Sequence, residues 1–88
     1  MDNLTFPKSV RLNIYRTPIR RITDANFVLS SRWPVEHILG NDGREPEVFR
    51  NARNACTLAL IKRTQEAVAE ARSAFVDAAR AAGILAVR

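Results

Sequence analysis

The sequence predicts an α+β fold in which an N-terminal antiparallel β-hairpin packs on three α-helices, in the order ββααα. Apolar and polar residues alternate over residues 9–16, a pattern typical of a half-buried strand. From residue 24 onward, apolar residues recur at helical spacing instead. A length of 88 residues fits one small domain, so we assign residues 1–88 to a single unit.

The first strand is predicted over residues 9–16, with Val10, Leu12 and Ile14 on its buried face. Thr17-Pro18 interrupts the alternation, because proline lacks an N–H and suits a turn or a sheet edge. A short return strand over residues 19–22 completes the hairpin. Two strands alone are marginal in water, so we expect helices against the apolar face of the hairpin.

The first helix is predicted over residues 24–33, with Thr23 as its N-cap and Asp24 in its first turn. Pro34 ends this helix, since the residue before a proline is driven out of helical angles. Residues 34–46 are rich in turn-forming residues and predict a loop. The second helix is predicted over residues 47–62, with an apolar stripe that includes Cys56.

The third helix is predicted over residues 65–82, with Thr64 as its N-cap and Gly83 as its C-terminal cap. Eight alanines lie between residues 67 and 82, and these small side chains allow another helix to approach closely. That helix is either the second one, packed antiparallel within the chain, or a helix of another subunit. Only Lys62-Arg63-Thr64 separates the two helices, so one long bent helix is the alternative.

The formal net charge is +5, from 14 Lys+Arg against 9 Asp+Glu, and it is unevenly distributed. The hairpin carries the candidate basic patch, formed by Arg11, Tyr15, Arg16, Arg20 and Arg21. A basic sheet face with an aromatic side chain can follow phosphates and stack a base. A hairpin packed on helices must also present polar side chains to water, and RNA-binding sheets usually offer more than one outward aromatic. We therefore treat nucleic-acid or phosphate-ligand binding by this patch as the alternative function.

The sequence offers little catalytic chemistry. His37, the only histidine, lies in the predicted loop and is interpreted as a solvated surface residue rather than a base or ligand. Cys56 is interpreted as a small apolar core residue, and a single cysteine cannot form an internal disulfide. No glycine-rich phosphate loop and no nucleophile–base arrangement is present. We expect no catalytic, cofactor-binding or metal-binding residue, and no enzymatic activity.

The N-terminus lacks the pattern of a signal peptide, and no apolar run approaches the ~18 residues of a transmembrane helix. These two observations predict a cytoplasmic location and no membrane partner.

Three motifs in order carry a family resemblance: Trp33-Pro34, then Ala52 and Cys56 in an Ala-x-x-x-Cys spacing, then Ala71-Arg72-x-Ala74-Phe75. Between about Phe6 and Ile84 the chain resembles short rhizobial and agrobacterial proteins of a domain of unknown function. The resemblance implies a cytoplasmic bacterial protein and brings no activity, cofactor or catalytic residue. One departure follows the second helix, where the family tends to place a glycine and this chain has Ile61-Lys62-Arg63.

We therefore expect a non-enzymatic interaction module that works as a homodimer, because a domain this small commonly gains burial by pairing. The alternative is a nucleic-acid or phosphate-ligand binder that uses the arginines of the hairpin.

Overall fold

The computed structural model describes residues 5–15, 17–31, 33 and 46–86. The elements follow in the order β1 (Thr5–Val10), β2 (Ile19–Arg21), α1 (Ile22–Ser31), α2 (Glu47–Lys62) and α3 (Gln65–Ala81). The strands pair antiparallel; α3 packs against β1, and α1 packs against β2. The predicted α+β architecture of a hairpin and three helices is confirmed.

The first strand lies earlier in the chain than residues 9–16. It spans Thr5–Val10, with Phe6 and Val10 buried, and its pairing with β2 is irregular between Thr5 and Val10. Leu12 is also buried, but it forms an isolated antiparallel bridge with Leu85 instead of pairing with β2. The chain then turns, and Ile14 is 43% exposed. The strand therefore ends earlier than the alternation of Val10, Leu12 and Ile14 predicts, because residues 84–86, which we call the C-terminal segment, provide the partner of Leu12.

The first helix starts at Ile22 and ends at Ser31, rather than covering residues 24–33. Ile22 is fully buried and lies three residues before the buried Ala25, so it belongs to the same apolar stripe. Thr23 is consequently inside the first turn rather than at the N-cap, and β2 ends at Arg21 instead of residue 22. The helix stops before Trp33, which precedes Pro34 in the sequence. The loop predicted over 34–46 lies outside the described residues, except for Pro46.

Helices α2 and α3 are separate, and a two-residue connection reverses the chain between them. Arg63 adopts the left-handed conformation, with φ 56° and ψ 37°, and its N–H donates to the carbonyl of Ala59. Thr64 is the N-cap of α3, since its hydroxyl accepts from the N–H of Ala67 at 3.1 Å. An arginine in the left-handed conformation therefore makes this turn.

The alanines of α3 serve the packing of helices within the chain. Ala67, Ala71, Ala78 and Ala79 are buried, and α2 and α3 form the most extensive helix pair of the described structure. Small side chains let the two helices approach closely along this contact. Of the two interpretations of the alanine stripe, the intrachain one is confirmed.

The end of α3 directs the chain back across the core. Gly83 has φ 73°, and its N–H donates to the carbonyl of Arg80 at 3.1 Å. The N–H of Ile84 donates to the carbonyl of Ala79 at 3.0 Å, which completes a Schellman cap. The predicted cap at Gly83 is thus confirmed, and the next residue, Ile84, folds back and is buried.

Arg63→Gly is expected to raise the free energy of unfolding by about 0.5–1 kcal/mol, because glycine takes the left-handed conformation without a Cβ clash. Urea unfolding monitored by circular dichroism measures the change. Lys62→Gly is the matched control and is expected to lower the free energy by up to about 1 kcal/mol, since Lys62 belongs to the helix. Equal destabilisation by the two variants would contradict this account of the connection.

Candidate functional site

Four of the five residues of the predicted hairpin patch lie in the described part of the structure. Arg11 is exposed just beyond β1, and Arg20 and Arg21 are exposed on β2. Tyr15 is half-buried and packs against the hydrophobic core. Arg16 lies outside the described residues. Among the described residues of the patch, only Arg11 lines the cavity described next.

A cavity of about 530 Å³ lies between β1, α3 and the C-terminal segment; we call it the basic groove. Its charged lining comes from Lys8, Arg11, Arg72 and Arg80. Val10, Val76 and Leu85 contribute apolar walls. The groove therefore combines several positive charges with an apolar surface.

Arg72 connects the helical side of the groove to its strand side. Its Nε–H donates to the backbone carbonyl of Lys8 at 2.7 Å, across 64 residues of sequence. This bond orients the guanidinium and joins α3 to β1. Arg80, two turns further along α3, lies 3.5 Å from the carboxylate of Asp77, and both of these side chains are largely exposed.

The C-terminal segment closes the third side of the groove through backbone hydrogen bonds. The N–H of Asn13 donates to the carbonyl of Ile84 at 2.8 Å, and the N–H of Ala86 donates to that of Arg11 at 3.0 Å. These bonds flank the Leu12–Leu85 bridge and continue the strand-like pairing. The pairing of Leu12 with Leu85, and the bond from Ala86 to Arg11, therefore hold Arg11 beside α3.

Sequence reasoning did not single out Arg72 and Arg80 as site residues. A signal was available, because Arg72, Val76 and Arg80 recur every four residues and so share one face of α3. What the sequence does not show is that this face meets Lys8 and Arg11.

A second surface feature is an uncharged stripe on the outer face of α2. It consists of Asn51, Asn54, Leu58 and Ile61, and we call it the outer stripe. All four residues are exposed, and the side chains of Leu58 and Ile61 are 49% and 71% exposed. Their spacing of three, four and three residues matches the seam of a coiled coil.

Cys56 lies on the opposite, inner face of α2 and is fully buried. Burial raises the pKa of Cys56 from 9.0 to about 12, because desolvation disfavours the thiolate. The predicted core role of this cysteine is confirmed. His37 lies outside the described residues, and within the described ranges no three metal-ligating side chains are grouped.

Residues 8–86 match the family model described as a protein of unknown function, DUF982. The chain belongs to the DUF982 family. No curated protein and no solved structure matches the chain.

The DUF982 match begins at Lys8 and ends at Ala86, and both of these residues line the basic groove. It therefore spans all the described parts that build the groove: the second half of β1, α3 and the C-terminal segment. No helix in the described part of this DUF982 protein is long and apolar enough to cross a membrane.

The buried thiol of Cys56 is expected to react with Ellman's reagent at neutral pH only as fast as the protein opens. Adding urea up to the unfolding transition should therefore accelerate labelling steeply. Labelling of the native protein at the rate of an exposed thiol would show that Cys56 is accessible.

The same burial predicts how stability depends on pH. The thiol ionises near pH 9.0 in the unfolded chain and only near 12 in the folded one, so its contribution is complete below pH 9 and is lost as the pH rises through this interval. The difference in free energy of unfolding between wild type and Cys56→Ala should shrink over that range. A difference that stays constant would contradict the assignment.

Proposed function

We propose that this DUF982 protein is a non-enzymatic interaction module that works as a homodimer in the bacterial cytoplasm. The observation that carries the proposal is the outer stripe of α2. The opposite face of this helix packs in the core, so the two large aliphatic side chains of the stripe, Leu58 and Ile61, are left in contact with water. The single cysteine of the chain fits a reducing compartment, where disulfides are rare.

A second copy of this chain is the occupant that best fits the outer stripe. In a two-fold dimer the same surface lies on both sides of the interface, so the surface must complement itself. The outer stripe has no charge that would oppose its own copy. Antiparallel pairing also brings Glu47, at the start of one α2, towards Lys62, at the end of the other. The basic groove, by contrast, would place like charges against each other.

The coiled-coil spacing of the outer stripe supports this arrangement. Leu58 and Ile61 would form the apolar part of the seam, whereas Asn51 and Asn54 would supply the polar positions that restrict register in such pairs. The small side chains of α3 are a further reason for pairing, because burial in a dimer would add to the small core of one chain. Four of the six residues that α3 buries are alanines, so the core of one chain is thin.

The alternative function, nucleic-acid or phosphate-ligand binding by the arginines of the hairpin, takes second place. Arg11, Arg20 and Arg21 are all exposed. Arg21, however, already makes a contact within the protein, which limits its part in binding a ligand. Tyr15 is the aromatic side chain that would stack a base, and it packs against the core instead.

Analytical ultracentrifugation tests the dimer. At high concentration the wild-type protein is expected to sediment with twice the 9.9 kDa mass of one chain. The double variant Leu58→Lys, Ile61→Lys is expected to sediment as one chain, because it replaces both apolar side chains of the outer stripe with charges that are costly to bury at an interface. Lysine is a good helix former, so the helical circular dichroism signal should remain.

Ile14→Lys is the control, since Ile14 is 43% exposed but lies outside α2. This variant is expected to remain a dimer. A 9.9 kDa species for the wild type at all concentrations overturns the proposal, and so does equal dissociation of the control.

A further inference from the structure

We propose that the basic groove binds the phosphate group of a small phosphorylated molecule that also has an apolar part. This site differs from the hairpin patch, of whose described residues it includes only Arg11, and from the outer stripe of α2, with which it shares no residue. The proposed ligand site does not depend on whether the chain forms a dimer.

The charge of the groove favours an anionic ligand. Four cationic side chains line it, and no carboxylate is among the described lining residues. Asp77 offsets part of this charge through Arg80, but that pair is 3.5 Å long and largely exposed, so water and salt weaken it. Clefts lined by one sign of charge attract ligands of the opposite sign.

Arg72 is already oriented for binding an anion. Its Nε–H is committed to the carbonyl of Lys8, and that contact does not use the two terminal amino groups of the guanidinium. Arginine presents such amino groups as a planar fork that matches the oxygen spacing of phosphate. A guanidinium already held in place loses less conformational freedom when an anion binds.

The size and lining of the groove suit a small molecule that has an apolar part. A volume of about 530 Å³ lies within the range of pockets for small molecules, roughly 300–1,000 Å³. It exceeds the needs of a single phosphate group, and Val10, Val76 and Leu85 provide surface for an apolar part. An extended nucleic-acid strand would need a charged track beyond the groove, and Arg20 and Arg21 are not part of its lining.

Isothermal titration calorimetry at low salt tests the site with inorganic phosphate, phenyl phosphate and a single-stranded oligonucleotide. Phenyl phosphate is expected to bind more tightly than inorganic phosphate, because its ring can cover the apolar wall. The groove variant Arg11→Gln, Arg80→Gln is expected to weaken phenyl phosphate binding at least about tenfold, since it removes charge-assisted hydrogen bonds.

The matched control is Arg20→Gln, Arg50→Gln, which removes the same charge from exposed positions outside the groove. It is expected to bind phenyl phosphate as the wild type does. Urea unfolding of both variants verifies that the fold is intact. The proposal is overturned if the wild type binds no phenyl phosphate, if the control loses as much affinity as the groove variant, or if only the oligonucleotide binds.

Discussion

The fold depends on an aromatic cluster centred on Phe75 of α3. Phe75 is fully buried, with its ring 6.3 Å from that of Phe6 in β1 and 5.8 Å from that of Trp33, measured between centroids. Trp33, which follows α1, lies in turn 5.8 Å from Phe49 of α2. Alanines fill much of the remaining helix interface, so these four rings, together with buried aliphatic side chains such as Ile19, Ile22 and Leu29, hold hairpin and helices together.

Both surface features follow from this arrangement. The contact of Phe75 with Phe6 holds α3 beside β1, and this places Arg72 within hydrogen-bonding distance of the Lys8 carbonyl, at the edge of the basic groove. The contact of Phe49 with Trp33 commits the inner face of α2 to the core. Leu58 and Ile61, on the other side of that helix, are consequently exposed.

The sequence predicted the parts of this structure that depend on local pattern. Helices α2 and α3, the cap at Thr64 and the buried Cys56 follow from periodicity and local hydrogen bonding. The bounds of β1 were wrong because Leu12 pairs with Leu85, a contact that alternation cannot reveal. The basic groove was missed for the same reason, since Arg72 meets Lys8 across 64 residues.

If the aromatic cluster couples hairpin and helices into one cooperative unit, both must unfold together. Urea unfolding tests this with two probes: the fluorescence of Trp33, the only tryptophan, and the far-ultraviolet dichroism of the helices. We expect coincident transitions and a loss of about 3–5 kcal/mol in Phe75→Ala. Helical signal that persists after the fluorescence of Trp33 has changed would contradict the claim.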